Sequence, residues 1–147
     1  MTVAAELPVE GALPDLGGAT RWLNSEPLTP AGLRGKVVVV QFCTFSCVNW
    51  LRTLPYVCAW AERYRDDGLV VIGAHSPEFP FEHEVERVRP ALADMGVEYP
   101  IAMDNDFAVW RAFHWLTAEE RRELLALLRR ALESAPAQSL WSSEEGD

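Results

Sequence analysis

Val37-Val38-Val39-Val40-Gln41-Phe42-Cys43-Thr44-Phe45-Ser46-Cys47-Val48-Asn49-Trp50 is the stretch on which the fold of this chain turns. Four valines followed by Gln41 and Phe42 read as a strand buried on both faces, the pattern of a parallel sheet covered by helices. Cys47 then falls where strand gives way to helix. At a helix N-terminus, unpaired backbone N–H groups and the positive end of the macrodipole stabilise a thiolate, the nucleophilic form of cysteine. Cys47 is therefore the first candidate for chemistry.

Downstream, the helix that begins at Cys47 places Leu51, Leu54, Cys58 and Ala61 toward a core. Pro55 predicts a kink in it, and Gly68 its end. Residues 69–74 form a second buried strand. Residues 82–95 carry Val85, Val88, Leu92 and Met95 on one helical face, with a bend at Pro90 and a stop at Gly96. Residues 99–103 make a short third strand, after which Asp106 is expected to cap a helix bearing Phe107, Trp110 and Phe113. This alternation implies right-handed crossovers and a parallel sheet. Thr117-Ala118-Glu119-Glu120 opens a capped helix over about residues 118–134, whose leucines form a wide apolar stripe that must be buried. The expected organisation is a flexible arm over 1–14, one domain over 15–135, and a disordered acidic tail over 136–147.

Bulk composition excludes several classes. The 147 residues suit one domain, and 49% hydrophobic residues supply a core. A net charge of -9 disfavours nucleic acid, whose affinity for proteins comes largely from Lys and Arg on phosphates. Met1 to Gly18 lacks the basic opening and apolar run of a signal peptide, and no later run suits a bilayer, so a cytoplasmic location without membrane contact is expected. Three cysteines are too few for a secreted disulfide scaffold, and an odd count leaves a thiol free.

Further motifs extend the pattern: Trp22-Leu23-Asn24-Ser25 and Arg34-Gly35-Lys36 upstream, and Arg52-Thr53-Leu54-Pro55-Tyr56, Gly68-Leu69-Val70-Val71-Ile72-Gly73, His75-Ser76-Pro77-Glu78-Phe79, Tyr99-Pro100 and Asp104-Asn105-Asp106 downstream. Together with Cys47-Val48-Asn49 they resemble the thioredoxin-like thiol–disulfide oxidoreductases, in the redoxin branch typified by cytochrome-biogenesis proteins. The resemblance runs from about Leu13 to Phe113. It implies an α/β fold in which helices flank a central sheet with a parallel core. It also implies cysteines at positions 47 and 50 and a tryptophan at 43. This chain instead has Trp50 and Cys43, so the resolving cysteine of a dithiol cycle is absent. After the position of His114 the family continues into a strand opened by a cis-proline and its hairpin partner. Here no proline follows Pro100 until Pro136, which predicts that both strands are missing and that the valine strand is left with an open edge.

The candidate site residues are Cys47, Cys43 and His75. Cys47 is either a nucleophile or a thiol retained in a site that no longer turns over, and Trp50, one turn along the same face, favours the second by shielding it. Cys43 is either a disulfide partner of Cys47 or a separate thiol, since a disulfide needs close Cα atoms and aligned Cβ vectors. Cys58 reads as core filler. His75 ends the second strand, the edge where parallel sheets place ligands; with Glu78 it is a base or charge partner, or else a turn residue beside Ser76-Pro77. His83 and His114 stand alone, and neither a metal site nor a cofactor is expected. Glu82, Glu84, Glu86, Arg87 and Arg89 read as a solvated helix face.

Three functions compete. In the first, Cys47 attacks a protein disulfide and the mixed disulfide is resolved by Cys43 or a low-molecular-weight thiol. In the second, Thr44-Phe45-Ser46-Cys47 serves a one-cysteine peroxidase with Arg52 as its nearest arginine, although the proline usual before such a motif is missing at Val40. The third is a non-catalytic interaction module. A homodimer through the sheet edge or the tail helix is the expected assembly.

Overall fold

The computed structural model describes residues 11–113, together with Arg122 and Ala126. The expected cap at Thr117, the tail helix and the acidic tail lie outside them. Two compact units divide the chain, residues 1–114 and 115–147, and every element below belongs to the first. In chain order these are β1 (Arg21–Leu23), β2 (Val37–Cys43), α1 (Val48–Arg63), β3 (Leu69–His75), a single 3-10 turn (Pro80–His83), α2 (Val85–Asp94), β4 (Ile101–Met103) and α3 (Ala108–Ala112).

The four strands form one sheet in the order β1-β4-β3-β2. Strands β2, β3 and β4 run parallel, and β1 closes the far side antiparallel to β4. Because side chains alternate across a strand, the sheet separates two cores. On one face Cys43, Val71, Ile101 and Met103 meet Trp50, Leu54 and Val57 of α1 and Val88 and Leu92 of α2. On the other, Ile72 and Ala74 pack with Leu16, Leu33 and Val109, and Val38, Val40 and Phe42 lie against them.

The valine strand is the edge of this sheet and not its buried centre, as the apolar run alone suggested. Val37 is 66% exposed and Val38 to Phe42 are half-buried, whereas Val71 to His75 of β3 are buried throughout. Among the described residues no strand pairs with the outer side of β2, and none follows β4.

Four local expectations are corrected. Helix α1 continues through Pro55 and ends at Arg63; Gly68, at φ 91°, turns the chain into β3. The helix expected over 82–95 is a 3-10 turn followed by α2, because Pro80 opens a tight turn and Glu84 is extended between the two. Strand β4 begins at Ile101: Pro100 has no N–H to donate, and the Asn24 side chain takes the carbonyls of Val97 and Tyr99, each at 3.0 Å. Asp104, not Asp106, caps α3. Its buried carboxylate accepts from the N–H groups of Val109 and Trp110 at 2.9 Å, and Val109, not Phe107 or Trp110, is the buried residue of that helix.

Candidate active site

Cys47 is the N-cap of α1, extended at φ -74° and ψ 113°, with its carbonyl already accepting from Leu51 N–H at 2.9 Å. Its own N–H donates to Thr44 O at 3.2 Å, which closes the turn between β2 and the helix. No acidic residue stands in the first helical turn to compete with an anion there. The thiol is partly exposed and lines a small pocket of about 170 Å³ with Cys43, Thr44, Trp50, Ser76 and Glu78. These are the geometric requirements for a helix-stabilised thiolate with a route to a substrate.

Cys43 shares the pocket but not the chemistry. Both thiols are free. Cys43 is 5% exposed, and burial, reinforced by the charges of Cys47 and Glu82, pushes its pKa up to about 12. It is a neutral thiol at any physiological pH. Cys58 is only half-buried at the rim of the helical core, with Sγ 3.8 Å from Gly96 O, so it fills the core less completely than its spacing suggested.

Trp50 lies in the core at 4% exposure. Its indole N–H donates to the Gln41 side chain at 3.1 Å, while its ring forms one wall of the pocket. A bulky, hydrogen-bonded side chain therefore occupies the position from which a second cysteine would reach Cys47.

His75 pairs in register with Cys43 across β2 and β3 and is completely buried. The Phe45 ring stacks on it with centroids 6.0 Å apart, and neither ring nitrogen has a hydrogen-bond partner among the described residues. Burial lowers its pKa, against the opposing pull of Glu82, so the neutral imidazole is favoured. Glu78 does not pair with it; that side chain is exposed and lines the pocket.

The largest correction concerns Glu82, assigned from sequence to a solvated face. It is fully buried. Its carboxylate accepts from Ser46 Oγ, from Glu78 N–H at 2.7 Å and from Phe79 N–H at 3.0 Å. Burial opposes its ionisation, but these hydrogen bonds and that of Thr44 outweigh it, and its pKa lies below the usual value. The signal available in the sequence was the setting, a glutamate directly after Phe79-Pro80-Phe81, which an amphipathic helix reading passed over. Glu84 and Arg87 do form an exposed ion pair at 2.7 Å. Phe79 and Phe81 stack on one another at 5.7 Å and remain 50% and 38% exposed beside the site.

No family model matches the chain. Protein DipZ of Mycobacterium tuberculosis is 46% identical over 110 residues, which cover 73% of this chain and 16% of that protein. The chain thus spans about a sixth of the length of such relatives. Thiol-disulfide oxidoreductase YkuV of Bacillus subtilis is 27% identical over 101 residues, covering 69% of this chain and 68% of YkuV. Among solved structures, a thioredoxin-like protein in its oxidised form superposes with a TM-score of 0.62 and 22% identity, covering 84% of this chain and 95% of the other. Strand order, the helix-capping cysteine and these likenesses agree: the chain belongs to the thioredoxin-like superfamily, within its redoxin branch.

Proposed function

We propose that the chain acts as a thiol–disulfide oxidoreductase through a single nucleophile, Cys47. The observation that carries this reading is that the N-cap thiol of α1 is partly exposed and lines a pocket, while the second thiol of that pocket, Cys43, is buried and neutral. The Cys47 thiolate attacks one sulfur of a substrate disulfide. One S–S bond breaks, a mixed disulfide with Cys47 forms, and the departing thiolate takes up a proton. A low-molecular-weight thiol, as thiolate, then attacks the mixed disulfide, releases the reduced substrate and is itself carried off when a second such thiol restores Cys47. An outside thiol suits the second step better than Cys43, because thiolate character governs the attack.

YkuV is named as a thiol–disulfide oxidoreductase, which supports a protein disulfide or a small thiol as the partner. The peroxidase reading is weakened by the pocket lining, in which Arg52 does not take part. The open edge of β2 keeps a binding role in play, with a second copy of the chain as the occupant. The deciding experiment is multiple-turnover reduction of a model disulfide by the wild type and by Cys47→Ser, with one external thiol as reductant. Slow turnover that disappears in Cys47→Ser supports the mechanism. Turnover that survives it refutes the mechanism.

A further inference from the structure

The turn that presents Cys47 rests on a buried carboxylate. Glu82 reaches across from the 3-10 turn to take the hydroxyl of Ser46, and the same carboxylate holds the N–H groups of Glu78 and Phe79 on the loop after β3. It thus joins the two loops that border the pocket. Among the described residues the ion pair found is the exposed one between Arg87 and Glu84, so no arginine or lysine neutralises Glu82. A buried charge held only by hydrogen bonds acts strongly on its neighbours, because little solvent screens it.

We propose that Glu82 is a positioning residue for this site: it fixes the turn beneath Cys47, and its charge confines ionisation to Cys47 by opposing a second thiolate at Cys43. The inference rests on Cys47 being the reacting thiol. The two thiols feel the charge unequally. Cys47 stands at the positive end of α1. Cys43 has no such compensation, and the groups around it are Cys47 on its own loop, Glu82 from the 3-10 turn, His75 on β3, neutral through burial, and Tyr99 before β4, whose phenol stays protonated. Two thiols in one pocket would otherwise compete for the role of nucleophile. Glu82 separates them.

The test is a pH titration of each cysteine in the full-length chain by ¹³Cβ NMR, which reads ionisation whether or not a thiol is accessible, alongside the carboxymethylation rate of Cys47. Four proteins are compared: wild type, Glu82→Gln, Glu82→Asp and Ser46→Ala. In Glu82→Gln the Cys43 thiolate is expected to be about tenfold more populated at about pH 10, the consequence of a shift of about one pH unit. Ser46→Ala keeps the charge and loses the tether, so the Cys47 rate should change while Cys43 titrates as in the wild type. Glu82→Asp keeps the charge with a shorter reach and should also leave Cys43 silent. If Glu82→Gln does not fold, the Asp variant decides alone: Cys43 ionising early there overturns the inference. An unmoved Cys43 titration in Glu82→Gln, with both thiols merely loosened alike, overturns it too. Disulfide turnover surviving Cys47→Ser would instead remove the functional reading and leave the Cys43 titration as expected, so the two failures are distinguishable.

Discussion

Trp50 donates its indole N–H to the side-chain oxygen of Gln41 at 3.1 Å, so the residue one turn beyond Cys47 is tied to the valine strand. Gln41 in turn donates to Thr53 Oγ1 at 2.9 Å, and Thr53 donates back to Trp50 O at 2.8 Å. The ring of hydrogen bonds closes on itself and holds the indole where a resolving thiol would stand.

Trp50→Cys is therefore expected to raise disulfide turnover and lower stability together. Positions 47 and 50 share a helical face, so a cysteine at 50 reaches a mixed disulfide on Cys47 and releases the substrate. Truncating a buried tryptophan leaves a cavity and an unpaired Gln41, at a cost of about 3 kcal/mol. Multiple-turnover assays and urea melts of the same preparations measure both effects. Unchanged turnover in a folded variant would show that release is not limited by the missing thiol.

Acid should destabilise the fold in two stages. Burial depresses the His75 pKa in the folded state, so the imidazole contributes stability that is fully present above its ordinary value, about 6.5, and is lost as pH falls through the lower folded value. Glu82 is also depressed, so its contribution is present above the ordinary glutamate value and is lost only at lower pH, as the carboxylate protonates. His75→Gln should flatten the first stage and leave the second in place. The measurement is the urea midpoint as a function of pH, and a profile for His75→Gln that parallels the wild type between about pH 6.5 and about pH 5 would contradict the assignment.

Periodicity and turn residues made the parallel sheet, the two main helices and the place of Cys47 legible in the sequence, because each depends on local pattern. The position of β2 at the sheet edge was not, since four valines look alike at an edge and in a centre. Glu82 was hidden for a related reason. Its neighbours Glu84 and Arg87 do face solvent, but a 3-10 turn beginning at Pro80 rotates Glu82 inward, and its partners Ser46 and Thr44 lie far away in sequence. Asp104 was passed over for Asp106 because the loop before α3 is longer than a simple cap, with Phe107 in the left-handed region at φ 55°. Long-range side-chain partners decide such cases, and local pattern does not record them.

Gly73→Ala should destabilise the site from beneath. A Cβ added there would stand 2.5 Å from Ile101 Cδ1, 3.3 Å from Tyr99 Cε2 and 3.4 Å from Cys43 Sγ. Ile101 is fully buried and cannot retreat, so about 1–3 kcal/mol of overpacking strain is expected. A shift in the urea midpoint measures it, and a neutral substitution would mean that the sheet yields at this point.

The open edge of β2 carries the last prediction. In the parallel ladder with β3, the N–H of Val37 bonds to Gly68 O and the carbonyl of Cys43 accepts from Ser76, so the odd-numbered residues of β2 face β3. The N–H groups of Val38, Val40 and Phe42 then point away from the sheet, an arrangement that invites another strand. A second copy of the chain is the expected partner, pairing edge to edge. Amide exchange at these three positions should slow as protein concentration rises, while Val39 and Gln41 stay protected throughout. Sedimentation over the same concentrations should show a dimer forming in step. Exchange at Val38, Val40 and Phe42 that does not depend on concentration would exclude the homodimer and leave the edge to a different partner, or to coverage within the chain.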